Sequence, residues 1–134
     1  IENWRYGLVW AADSQSLLYT DADENWRSKV IWHHRLGDAQ SADRAVYTEE
    51  AEEFGVQIGR TQSRRYAVLQ TGDHATSEVR LLPTDDFAAV PVLVSPRVAD
   101  RQYDVDEREG TLYIRVNDTH PNFRIVTAPV SAPS

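Results

Sequence analysis

Four histidines, a run of glutamates and not one cysteine set the chemistry open to this 134-residue chain. Thiolate nucleophiles, disulfides and cysteine metal sites are excluded outright. His33 and His34 are neighbours in a stretch that reads as a strand, so their side chains leave opposite faces and cannot chelate one ion together. His74 and His120 fall in comparable turns, but a shared metal would still need further ligands in fixed geometry. All four are read as surface or strand-edge residues, and neither a metal nor another cofactor is expected. Asp21-x-Asp23-x-Asn25 imitates the start of a calcium loop. Trp26 then stands where glycine must make the sharp turn, and Trp32 where a bidentate glutamate must close the shell. That stretch is a polar hairpin turn. Ser16, His33 and Asp13 offer the residue types of a nucleophilic triad, yet none of the six glycines has a serine two positions on. No strained nucleophile elbow is present, and no catalytic residue is assigned.

The charged residues divide by sign. Glu49, Glu50, Glu52 and Glu53 make the one dense acidic run, read first as a solvated connector and second as a source of long-range attraction for basic ligands. Arg60, Arg64, Arg65, Arg97, Arg101 and Arg108 are expected to pair with nearby carboxylates at the surface. A formal charge of −7 argues against a nucleic-acid partner, because phosphate affinity comes from clustered lysine and arginine. Asn117-Asp118-Thr119 has the form of a glycosylation acceptor but is better read as the turn before Pro121. No apolar run approaches the length of a membrane span, and nothing has the plan of a signal peptide. No membrane partner and a cytoplasmic, reducing location are the resulting expectations. The chain starts at Ile1 and contains no methionine, which reads as a segment of a longer protein.

The elements that must carry these residues are short, β-rich and repeated. Leu17, Tyr66 and Leu112 open equivalent strands and stand 49 and 46 residues apart. Ile31, Val79 and Ile125 anchor the strands after them, 48 and 46 residues apart. Two independent anchors thus recur with one period, of the length of a four-stranded propeller blade. The expected fold is all-β, built of consecutive antiparallel meanders, with blades over 6–50 and 54–98 and an incomplete one over 101–134. Gly7-Leu8-Val9-Trp10 is apolar throughout, as an innermost strand covered on both faces should be. Leu112, Ile114 and Val116 alternate with Tyr113, Arg115 and Asn117, the period-two pattern of a half-buried strand. Asp85 to Val90 is the best helix candidate, but Pro91 ends it and leaves room for at most one turn.

Longer phrases carry a resemblance. Trp10-Ala11-Ala12-Asp13 with Leu17-Leu18-Tyr19 resembles the blade pattern of the prolyl oligopeptidase family of serine peptidases. Ile31 to Gly37, Val46 to Glu50, Thr76 to Leu82, Pro96-Arg97 and Tyr103 to Asp106 are similar, in order and spacing, to the oligopeptidase B branch of that family. The resemblance covers essentially the whole chain. It implies a seven-bladed propeller, of which about three blades stand here, joined to an α/β-hydrolase domain bearing a Ser-Asp-His triad. It further implies cleavage of short peptides after Arg or Lys, with the propeller covering the active site. The triad and the acidic residues that select basic side chains belong to the hydrolase domain, so the segment alone is expected to be inactive. Under this resemblance the acidic run could guide basic peptides. A stand-alone propeller-type interaction module is the alternative, although the Trp-Asp and Gly-His pairs of that repeat are absent. A β-sandwich would not produce two anchors at one period. Terminal blades with an uncovered face are expected to make the isolated segment self-associate.

Overall fold

The computed structural model describes residues 4–21, 29–51, 54–73, 75–87, 89–117 and 123–130. Three antiparallel sheets follow one another along the chain, each a meander in which neighbours in sequence are neighbours in space. The first holds β1 (Trp4–Trp10), β2 (Ser16–Asp21), β3 (Val30–Arg35) and β4 (Arg44–Thr48). The second holds β5 (Gly55–Arg60), β6 (Tyr66–Gly72), β7 (Ser77–Pro83) and β8 (Val92–Leu93). The third holds β9 (Tyr103–Arg108), β10 (Thr111–Val116) and β11 (Arg124–Pro129). The helical element among the described residues is one 3-10 turn, Gln40–Ala42, in the loop between β3 and β4. The described residues of the stretch from Asp85 to Val90 make no helix.

The sheets stack because alternate residues of each strand are apolar on both sides of the middle sheet. Val56, Ala67, Leu69 and Leu82 face the first sheet, where Val9, Leu18 and Ile31 meet them, with Phe87 closing the cluster. Val79 and Leu81 face the other way, onto Leu112, Ile114 and Val116 of the third sheet. Leu69 and Val68 therefore belong to different seams although they are adjacent, as a period of two requires. Among the described residues the outer sheets are covered on one face only. Val9 is buried but Leu8 and Trp10 are 43% and 40% exposed, so the expectation that β1 is covered on both sides does not hold. These two side chains share the face of the first sheet that turns away from the second. Tyr113 and Ile125 take the corresponding position on the third sheet, where Ile125 is 70% exposed.

The turns between the first two strands of the first and second sheets are copies of each other. Ala11 and Thr61 donate to Ser16 and Tyr66, and Ser14 and Arg64 donate back to Ala11 and Thr61. Ser14 and Arg64 both adopt positive φ, 58° and 65°. The residue after each opening position points its N–H at the next sheet: Ala12 to the Thr84 carbonyl at 2.8 Å, Gln62 to Asp106 Oδ1 at 2.9 Å. In the third sheet β9 runs on through Glu107 and Arg108. Glu109 and Gly110, at φ 51° and 83°, then reverse the chain in two residues. Positive φ at both central positions matches the strand twist, which is why glycine closes it.

Candidate functional site

The densest charged constellation lies where the connectors between sheets cross, at the end of the stack where β4 and β8 finish. The connector from β4 to β5 starts with Glu49, whose N–H is tied to the Lys29 carbonyl at 2.8 Å. That bond turns the side chain inward. The connector from β8 to β9 carries Arg97, and Glu78 projects from β7 between them. Arg97 Nη2 donates to Glu49 Oε2 at 2.7 Å and to Glu78 Oε1 at 3.2 Å, while its backbone N–H donates to Glu78 Oε2 at 2.9 Å. Arg80 donates to Glu78 Oε1 at 2.8 Å, and Tyr47 and the Ala51 N–H complete the shell of Glu49 at 2.8 and 3.0 Å. The two guanidiniums stack on Phe54 and Tyr47, each 4.4 Å from the ring centre. Packing on aromatic faces holds arginine flat while its edge donates.

Both carboxylates are almost fully buried, with side chains 4% and 7% exposed. Burial alone pushes Glu49 and Glu78 up, but the bonds from Arg97 and from Ala51 and Tyr47, or Arg80, outweigh it and hold both below the usual carboxylate range. Arg97 is raised further above its already high value, chiefly by its bond to Glu49 and in spite of partial burial. Desolvation and the bond to Glu49 raise Tyr47. Two negative and two positive side chains thus close a neutral set.

The acidic run is consequently not uniformly solvated. Glu49 is buried and neutralised, a position that sequence reading missed, and Glu50 is exposed. Glu52 and Glu53 lie outside the described residues. The arginines also divide. Arg65 pairs with the buried Glu107, whose other oxygen accepts from Ser63. Arg101 donates to Ser95 Oγ at 2.9 Å and to the Pro96 carbonyl. Arg97 is an internal cross-brace rather than a surface pair. At Glu107 burial again works upward, but Ser63, the Gly110 N–H and Arg65 bring the carboxyl below its ordinary value.

The histidines part company as their adjacency requires. His34 Nδ1 lies 2.6 Å from Asp43 Oδ1, and Tyr19 donates to the other oxygen at 2.5 Å. His33 packs edge-on against Phe87 at 5.7 Å, and its buried Nε2 has no hydrogen-bond partner among the described residues. Burial, then the Arg44 charge, lowers His33. Asp13 accepts the N–H of Gln15 at 2.9 Å, the bond of an ordinary turn. Asn117 Oδ1 likewise accepts the Gln102 N–H. Asp118, Thr119, His74, His120, Asp23 and Asn25 lie outside the described residues. Among the described residues no three His, Asp or Glu side chains are grouped as a metal would need. No helix of the described residues is long and apolar enough to cross a membrane.

The Glu49, Glu78, Arg80 and Arg97 set pairs its own charges, and its chemistry is that of a clamp. The comparison that decides the family is a match over residues 1–134 to the model of the prolyl oligopeptidase N-terminal β-propeller domain. The chain belongs to the prolyl oligopeptidase family. Within that family it is similar to dipeptidyl aminopeptidase BI of Pseudoxanthomonas mexicana, 35% identical over 136 residues, which cover 100% of this chain and 19% of that protein. It is 29% identical to protease 2 of Moraxella lacunata, over 94% of this chain and 18% of the relative. In three dimensions it follows oligopeptidase B of Trypanosoma brucei, solved in closed form with covalently bound antipain. The TM-score there is 0.93 at 27% identity, over 100% of this chain and 19% of that one. Oligopeptidase B of Leishmania major gives 0.92 at 28% identity, covering 98% of this chain and 19% of that one. The chain thus spans about a fifth of the relatives it matches, within the propeller of the family.

Proposed function

We propose that this chain is a non-catalytic propeller segment of a serine oligopeptidase that cleaves short peptides after Arg or Lys. On this reading the propeller covers an active site carried by an α/β-hydrolase domain of the same parent chain and admits only small peptides. The supporting observation is the close backbone likeness to oligopeptidase B over the whole chain, joined to the absence of any Gly-x-Ser-x-Gly in its sequence. A clamp of paired charges suits a part whose work is to hold shape. The expected result is no hydrolysis of Arg or Lys ester substrates by the purified segment. Activity appears only when a downstream stretch bearing a Gly-x-Ser-x-Gly elbow, then Asp and His, is joined to it. Ester turnover by the segment alone would reject the reading. Any guidance of basic peptides falls to Glu50, Glu52 and Glu53, because the charge of Glu49 is spent on Arg97.

The isolated segment should self-associate. Leu8 and Trp10 on one outer face, and Tyr113 and Ile125 on the other, are the kind of surface that buries against a further sheet elsewhere in the same chain. Docking of one outer face on the other between copies is heterologous and need not stop at a dimer. Light scattering across the micromolar range should give a mass that climbs with concentration. A constant monomer mass would count against it.

A further inference from the structure

Both seams between sheets are tied at both ends, but not by the same chemistry. At the connector end, the seam between first and second sheets is held by the Glu49–Arg97–Glu78 set, which depends on ionised carboxylates. At its other end the Ala12 N–H bonds the Thr84 carbonyl, and Arg44 donates to the Phe87 carbonyl at 2.6 Å.

The seam between second and third sheets is arranged the other way round. Its connector end is neutral: Ser77 Oγ donates to the Tyr103 carbonyl at 2.9 Å and accepts its N–H at 2.7 Å, and the Val79 N–H donates to Tyr103 Oη at 2.8 Å. Its turn end rests on carboxylates. Glu107 holds Arg65 and Ser63 and also accepts the Gly110 N–H at 2.7 Å, while Asp106 holds the Gln62 N–H.

We infer that the three sheets form a pair of opposed hinges, each with one carboxylate-locked end and one pivot whose ties use no carboxylate, at opposite ends of the stack. Neutralising the carboxylates opens the first seam at its connector end about Ala12 and Thr84. It opens the second at its turn end about Tyr103. The middle sheet is thereby twisted against both neighbours rather than simply released. Around Glu49 and Glu78 the facing charges and titratable groups are Arg97, Arg80, Tyr47 and Tyr103, with Lys29 and Glu50 beside them and Asp73 and Asp100 at the same end; at the pivot of that seam His33 and Arg44 face Phe87. Around Glu107 they are Arg65, Arg64, Asp106, Arg108 and Glu109. This inference rests on the sheets themselves and not on the proposed activity.

The test is residue-resolved amide hydrogen exchange on the 134-residue chain at neutral pH. In Glu49→Gln, protection of the Ala51 and Arg97 amides should fall at least tenfold while that of Ala12 stays within about twofold. In Glu107→Gln, Gly110 and Gln62 should lose protection by the same order while Val79 and Tyr103 keep theirs. Equal loss at both ends of a seam, or no loss at the locked end, would overturn the hinge. If either variant fails to fold, the unmodified chain decides: as pH falls from about 5 to about 2.5, through the lowered carboxylate range and below the ordinary histidine value, exchange corrected for its intrinsic rate should rise at the two locked ends before the two pivots. Simultaneous rise at all four would overturn it equally.

Discussion

Replacing Arg97 by alanine is expected to destabilise the chain by about 3 kcal/mol, read as a lower urea midpoint at constant slope. The loss is not the removal of a surface ion pair. It strands Glu49 and Glu78, side chains 4% and 7% exposed, with Arg80 the one cation left for Glu78, beside the backbone N–H of residue 97, and only neutral donors left for Glu49. Breaking a buried pair from one side leaves a carboxylate out of water with its solvation unreplaced, and that term dominates. Arg97→Lys should recover only part, because one ammonium cannot reproduce the fork that spans two carboxylates or lie flat on Phe54. Arg115→Ala supplies the contrast. Its partner Asp104 lies 3.0 Å away, but both side chains are more than half exposed, so the cost should stay below about 1 kcal/mol. Equal effects of Arg97→Ala and Arg115→Ala would refute the buried-clamp description.

Stability should hold a plateau between about pH 7 and 9.5 and fall on both sides, most steeply in acid. Glu49, Glu78 and Glu107 all have folded-state pKa values below their unfolded ones. Each therefore adds stability above the unfolded carboxylate value of roughly 4.3 and loses it as pH falls through the folded value. His33 is lowered too, so folding favours its neutral form and its contribution begins to fade below about pH 6.5. Tyr47 and Tyr103 are raised, by burial first. Their contribution is complete below the unfolded value of about 10 and is lost as pH rises through the folded one. Denaturant midpoints recorded from pH 3 to pH 11 test this shape, and Glu107→Gln should flatten part of the acid limb. A midpoint unchanged between pH 7 and pH 3 would contradict the three buried carboxylates.

How much of this could be read beforehand depends on how local the signal is. Leu112, Ile114 and Val116 declare a half-buried strand because alternation is written into adjacent positions, and all three are indeed buried. Recurrence of Leu17, Tyr66 and Leu112 declares the stack because each small sheet needs another against it. Glu49 shows where such reading stops. Its neighbours in sequence make it look like part of a solvated acidic run, yet its partner is 48 residues away on the next connector. Glu107, next to last in β9, is a second case, its partners Ser63 and Arg65 standing 44 and 42 residues earlier in a turn of the preceding sheet. A clue existed in the spacing, since Glu49 and Arg97 are about one repeat apart, but it acquires meaning only once successive connectors are known to cross.

By itself the sequence determined the class, the order and the period of the sheets. Those properties follow from alternation and turn residues, all local. Only the tertiary structure decided which charges are buried, which seam each face of the middle sheet enters and which end of each seam a carboxylate locks. The reason is physical: burial and pairing of a charge depend on what the neighbouring sheet brings to it, and no single strand carries that information.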